Sequence, residues 1–120
     1  MLMTAKEAER LDFDWGIIRW VASEALGNSE HMTVGMVTIK SGEGNPVHRH
    51  PNCEEILHLL SGKLDHMLEG KVFAMSPGDT ITIPAGAWHN ARAVGGEDAS
   101  MVVCFSSADR QTEMRGSGVG

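Results

Sequence analysis

The chain predicts an all-β fold, a sandwich or barrel of short strands. Three observations carry that expectation. Short runs rich in β-branched and other apolar residues recur at regular spacing. Clusters of Gly, Pro, Asn, Asp and Ser separate them, and no long stretch repeats at the helical period. Strands of that length with turns between them bury their apolar faces only by closing on themselves or on a second sheet.

Taken in order, residues 4–10 read as a short helix, with Thr4 as cap and Glu7 three residues on. Such a segment cannot stand alone. Residues 15–21, with Trp15, Ile17, Ile18, Trp20 and Val21, read as a strand. Residues 32–40 read as a second, with Met32, Val34, Met36 and Thr38 on one face and Thr33, Gly35, Val37 and Ile39 on the other. After a turn cluster at 41–46, strand-like pieces follow at 47–50, 55–60, 63–68, 72–75, 80–83 and 101–106. Glu69 and Gly70 make a tight hairpin, because glycine supplies the positive φ that such a turn needs. Residues 76–79 and 94–98 have the composition of turns. The expected layout is one domain over 1–120, with its barrel at about 13–107 and a mobile tail over 109–120.

Composition excludes several functions. The net charge is -6 and the basic residues form no run, which disfavours binding to nucleic acid. No apolar stretch approaches a membrane span, and acidic residues interrupt the start as they would not in a signal peptide. Two cysteines make no disulfide framework, so a reducing cytoplasm is the expected setting.

The chemistry lies in two segments. In a strand, residues i and i+2 face the same side, so His48 and His50 aim two imidazoles at one point. Pro46 and Pro51 bracket the pair and fix the chain direction. Glu54 and Glu55 open the next strand on opposite faces, and periodicity alone leaves open which one turns inward. His89 follows a turn with Pro84 and Gly86 that can swing it back over a barrel mouth. Imidazole and carboxylate together suit a divalent first-row metal.

The first segment has the form G-x5-H-x-H-x4-E-x6-G, from Gly42 through His48, His50 and Glu55 to Gly62. The second has the form G-x5-P-x-G-x2-H, from Gly78 through Pro84 and Gly86 to His89. The pair resembles the two signature motifs of the cupin superfamily, with a short spacer between them. That resemblance implies an antiparallel jelly-roll β-barrel holding a divalent metal through His48, His50, Glu55 and His89. The family spacing to Gly62 is what selects Glu55 over Glu54. One position departs from the pattern: Ala93 stands where an Asn is usual.

Other residues carry weaker signals. His58 belongs to the face opposite Glu55 and reads as an outer-face residue. His66 enters the pocket if Gly62 resets the strand parity, but reads first as a satisfied structural histidine. His31 reads as exposed, Cys53 as a small buried hydrophobe or a redox-sensitive thiol, and Cys104 as core. Met36, Met67, Met75 and Met101 read as barrel filling. Trp88 is expected to cover the mouth of the site, Arg49 to face away from it, and Arg92 to offer an anion contact.

Four protein ligands leave an octahedral metal with open positions. Fe, Mn, Ni or Zn would each be satisfied, because availability rather than the donor set decides among them. The expected function is a metal-dependent enzyme of dioxygenase, isomerase or lyase type acting on a small oxygen-bearing metabolite. The contrasting expectation is a binding or sensing module that holds a ligand through its metal without turnover. A homodimer is expected either way, since Ile17, Ile18, Trp20, Val21, Ile56 and Leu60 exceed what one barrel interior needs.

Overall fold

The computed structural model describes residues 1–115. They form eleven strands: β1 (Arg10–Phe13), β2 (Gly16–Ala22), β3 (Thr33–Ile39), β4 (His48–Arg49), β5 (Glu55–Ser61), β6 (Lys63–Leu68), β7 (Lys71–Met75), β8 (Thr80–Ile83), β9 (His89–Val94), β10 (Ala99–Phe105) and β11 (Glu113–Met114). Two antiparallel sheets face each other. One has the order β1-β2-β3-β10-β5-β8 and the other β11-β4-β9-β6-β7. The central eight strands are nested pairs around one hairpin: β6 with β7, β5 with β8, β4 with β9, and β3 with β10. That nesting across two sheets is the jelly roll. The hairpin β1–β2 extends one sheet beside β3, and β11 extends the other beside β4.

The innermost turn is built as its sequence predicts, with φ of 48° at Glu69 and 80° at Gly70. No helix forms at the N-terminus. Residues 4–7 make a single turn, in which the Glu7 amide donates to the Thr4 carbonyl and the Thr4 hydroxyl to the Glu7 carboxylate. Arg10 is already in β1, where it pairs with Arg19, so strand pairing wins over a helix too short to hold itself. The strands at 89–94 and 10–13 were not legible as such, because both are short and His89, Asn90 and Arg92 dilute the β signal of the former.

Between the sheets the molecule has a closed end and an open end. Ile39, Leu59, Leu64, Ala93, Ala99 and Met101 are at most 1% exposed and fill the closed end. Ala93 sits there in register with Leu64, where an asparagine side chain would need a buried partner. Gly35 leaves room for the Trp20 ring, which would lie 2.6 Å from an added Cβ. Burial also corrects several faces. In β10 the inward residues are Met101, Val103 and Phe105, so Cys104 lies on the outer face with Val102. Met75 and Met101 are core, whereas Met36 is 37% exposed on the outside of β3. Ile18 and Trp20 pack against the core, leaving Ile17 of β2 on the outer side.

The chain passes from one sheet to the other at Gly62. Leu60 is an extra residue in the β5–β10 pairing and is 49% exposed. Inward positions therefore change from Glu55, Leu57 and Leu59 to Leu64 and His66. Parity is reset, and His66 is turned inside.

The segment after Asp109 is tied down as far as it is described. Asn52 donates to the Asp109 carbonyl and accepts from the Gln111 amide, and β11 pairs with β4. Residues 109–115 thus form a strap across the barrel; residues 116–120 of the expected tail lie outside the described residues.

Gly62 and Gly70 share a φ of 80°, but only Gly62 is crowded: a Cβ there would lie 2.4 Å from the Asp98 carbonyl oxygen and 2.8 Å from the Ala99 Cα. Gly70→Ala should cost about 1–2 kcal/mol, the strain of a left-handed residue. Gly62→Ala should cost a further 1–3 kcal/mol or so from overpacking. Urea unfolding of both variants measures the difference, and equal losses would mean that the sheets do not approach at this corner.

Candidate metal centre

The nested pairing brings three strand side chains and one from the loop after β4 to the open end. His48 in β4 is directly opposite His89 in β9. Glu55 opens β5, across the interior, and His50 lies just beyond β4. One donor atom from each of His48, His50, Glu55 and His89 falls within 4.8 Å of the others. The imidazole centroids are 4.2 Å apart for His48 and His89, 5.0 Å for His48 and His50, and 5.3 Å for His50 and His89. Glu55 is buried and Glu54 exposed, so the structure turns inward the carboxylate that periodicity left open.

Hydrogen bonds set the tautomers. The Nδ1 of His48 lies 2.7 Å from the Pro46 carbonyl, that of His50 2.9 Å from the Gln111 carbonyl, and that of His89 2.9 Å from the Ala87 carbonyl. A carbonyl only accepts, so each Nδ1 carries the proton. In a neutral ring, the Nε2 atom is then a bare lone pair. Those lone pairs meet an acid. Glu55 Oε1 is 3.1 Å from His89 Nε2 and 3.2 Å from His50 Nε2. The second contact falls outside hydrogen-bond geometry, leaving His50 Nε2 buried without a partner. Bare nitrogens and a carboxylate so close together repel unless a proton or a cation lies among them. The donor set therefore fits a divalent metal, with each imidazole already oriented by a carbonyl behind it, as metal-binding histidines usually are.

The ionisation of the site agrees. Burial alone would raise the Glu55 pKa, but the close contacts with His50 and His89 outweigh it and hold the carboxyl at about 2. Burial, aided by the charge of His89, lowers His48 from 6.5 to about 4. Glu55 is thus a carboxylate and His48 a neutral imidazole at pH 7, the forms that bind metal.

The cluster opens on a cavity of about 330 Å³. Its walls are mainly apolar, with Trp15, Trp20 and Phe105 among them. His66 also lines it, 1% exposed, its ring stacked at 12° and 5.8 Å on His89. Burial and the charge of His89 lower His66 from 6.5 to about 4, and its Nδ1 is buried without a partner.

Several expected placements are revised. His58 does lie on the outer face, bonded to Thr80, and His31 is exposed. Trp88 does not cover the site; it lies outside the cavity, with the Arg49 guanidinium 4.4 Å from its ring. Arg92 points away and donates to the Gly42 carbonyl. Cys53 is 4% exposed, and burial pushes its thiol pKa up, so it acts as a small hydrophobe. The cavity's one arginine is instead Arg110, from the strap. Sequence reasoning passed over it because residues 109–115 carry no strand pattern. The one available signal was parity in β2, where Ile18 and Trp20 share the inward face and predict an aromatic wall.

Comparison with known proteins agrees with this geometry. Residues 35–105 match the Cupin domain family. The polyketide synthase CurC of Streptomyces cyaneus is 33% identical over 73 residues, which cover 61% of this chain and 47% of that protein. The 5-nitrosalicylic acid 1,2-dioxygenase of a Bradyrhizobium species is 30% identical over 86 residues, covering 72% of this chain and 41% of that one. Among solved structures, the oxalate decarboxylase of Lactobacillus farciminis, in its formate complex, superimposes with a TM-score of 0.84 at 19% identity, over 91% of this chain and 34% of that one. This chain thus spans less than half the length of each of these proteins. A Cupin-domain match across most of the barrel, two signature segments joined in one donor cluster and a jelly roll shared with oxalate decarboxylase lead to one conclusion: this chain belongs to the cupin family.

Proposed function

We propose that this protein binds one divalent transition metal through His48, His50, Glu55 and His89 and uses it to transform a small oxygen-bearing metabolite. The observation that carries the reading is the arrangement of three imidazoles with Nδ1 committed to carbonyls and Nε2 bare, facing a buried carboxylate. When bound, such a metal supplies Lewis-acid polarisation of a substrate oxygen or, if redox-active, a site for dioxygen. The protein contributes the rest. Carbonyls of Pro46, Ala87 and Gln111 orient the ligands. The apolar walls keep bulk water from the reacting atoms and strengthen the field at the site. His66 lines the same cavity and its imidazole, with a buried and unpartnered Nδ1, can hold a proton beside the substrate. Dioxygenase, isomerase and lyase chemistry are all compatible with this frame; the dioxygenase relative favours the first.

The reading includes a homodimer in a reducing cytoplasm. The outer face of the larger sheet aligns Met36, Val102 and His58 in one row and Val34, Cys104 and Ile56 in the next. This half-buried apolar surface suits closed twofold pairing. No helix among the described residues is long and apolar enough to cross a membrane.

Elemental analysis and a substrate screen test the metal and the turnover. Elemental analysis of the purified protein should give about one divalent metal per chain. His48→Ala and Glu55→Gln should lose most of it, and Glu54→Gln should keep it; unchanged content in the first two variants would refute the site. An aerobic and anaerobic screen of keto acids, diketones and phenols then separates turnover from binding. Metal without turnover, together with a small molecule retained through purification, would make the protein a binding module.

The metal-free protein should also lose stability in acid. His48 and His66 have folded pKa values near 4 against 6.5 unfolded, so the unfolded chain takes up protons first. Their contribution is complete above pH 6.5 and fades as pH falls toward 4. Glu55, at about 2 against 4.5, adds a loss between 4.5 and 2. Unfolding midpoints of chelator-treated protein should show a fall of about 2–4 kcal/mol across the first window, reduced in His66→Gln. A flat profile from pH 7 to 4 would mean that neither histidine is buried as neutral imidazole.

Light scattering at micromolar concentration should report twice the chain mass, and Met36→Glu or Val102→Glu should halve it. A monomeric native protein would overturn the dimer.

A further inference from the structure

The fixed charges of the cavity balance only without a metal ion. Its lining contains one carboxylate, Glu55, and one guanidinium, Arg110. A divalent cation on the His–Glu cluster would leave a positive excess in a mostly apolar space, a condition that calls for an anionic ligand.

Arg110 is also placed unlike the other ring-stacked arginine that has an acid to hand. Arg49 sits over Trp88 and is neutralised by Glu113 at 2.8 Å. Arg110 sits over Trp20 at 4.3 Å and near Phe105 at 5.2 Å, yet makes no salt bridge among the described residues. Arg110 donates a hydrogen bond to the neutral hydroxyl of Thr112. The neighbouring Asp109 is turned away and accepts from Gln111. A half-buried guanidinium fixed by two aromatic rings, within the field of Glu55 but with no acid in salt-bridge contact among the described residues, is a preorganised fork for a carboxylate.

The walls describe the rest of the ligand. Phe13 and Trp15 stack on each other at 5.0 Å and 11° on one side of the cavity lining, and Trp20 and Phe105 contribute further rings. A diacid as small as oxalate would leave these walls without contact in a space of about 330 Å³. A flat, apolar body carrying one acid group would fill them.

We propose that Arg110 is the specificity-determining anion clamp of this cavity, and that the cavity takes a planar aromatic acid with its carboxylate on Arg110 and its ring against the aromatic walls. The inference deepens the metal-enzyme reading by naming its substrate class, and it rests on that reading for the excess of positive charge and for turnover. The clamp itself is a statement about binding.

Binding of benzoate and 2-hydroxybenzoate is therefore compared with that of benzamide and 2-hydroxybenzamide, their neutral isosteres, at neutral pH by tryptophan fluorescence and calorimetry. Both metal-loaded and metal-stripped protein are used. The native protein should prefer each acid to its amide. Arg110→Met should weaken acid binding about ten- to hundredfold while leaving the amides unchanged. Arg110→Lys, which keeps charge but not the planar fork, should recover part of the loss. Metal content and unfolding midpoints establish that both variants are folded. Equal loss of acid and amide in the variants, or an acid preference that survives Arg110→Met, would overturn the clamp. Failure of the native protein to bind any of the four would overturn the substrate class. The two readings also fail separately. An Arg110-dependent acid preference in protein that takes up no metal would sink the metal reading and support the clamp. Full metal content with no acid preference would do the reverse.

Discussion

The buried charge of Glu55 is the constraint on which the open end of this molecule depends. A carboxylate 5% exposed must be met by donors or by positive charge. Three imidazoles surround it, yet their N–H groups are given to the carbonyls of Pro46, Gln111 and Ala87. Neutral rings therefore offer Glu55 lone pairs rather than protons. The orphaned His50 Nε2 follows from that mismatch, as does a place that a cation would complete. Removing one partner of such an assembly costs more than the net worth of the whole, because the remaining charge is left uncompensated.

The two signature segments were legible because their chemistry is local. His48 and His50 are two residues apart, Glu55 is a strand-opening residue, and His89 follows a turn written in Pro84 and Gly86. The hairpin at Glu69 and Gly70 was equally legible, since one φ requirement decides it. The N-terminal helix was an error of the opposite kind. Thr4 and Glu7 do bond as a cap would, but nothing beyond that first turn sustains a helix.

What stayed hidden depends on partners distant in sequence. Alternation in β10 allows either face to be the inner one, and only its pairing with β3 and β5 turns Phe105 in and Cys104 out. The inward turn of His66 required the extra residue Leu60 and the corner at Gly62, which shift parity by one. Arg110 and the Gln111 carbonyl belong to a strap whose order comes from Asn52, more than fifty residues earlier. No periodicity marks such a segment.

The nested order of the strands also dictates when the donor cluster can exist. Closing the β6–β7 hairpin joins Leu68 to Lys71, a short loop, whereas His48 meets His89 only across the whole intervening chain. Long-range pairs cost loop entropy before they return any contact energy, so local pairs form first and the outer ones later. The His48–His89 contact is a late event on that sequence. A cation gripping this point therefore acts as a latch on the finished barrel. It slows the escape from the native state far more than it hastens arrival there, and the lifetime of the folded protein becomes a function of the metal supply.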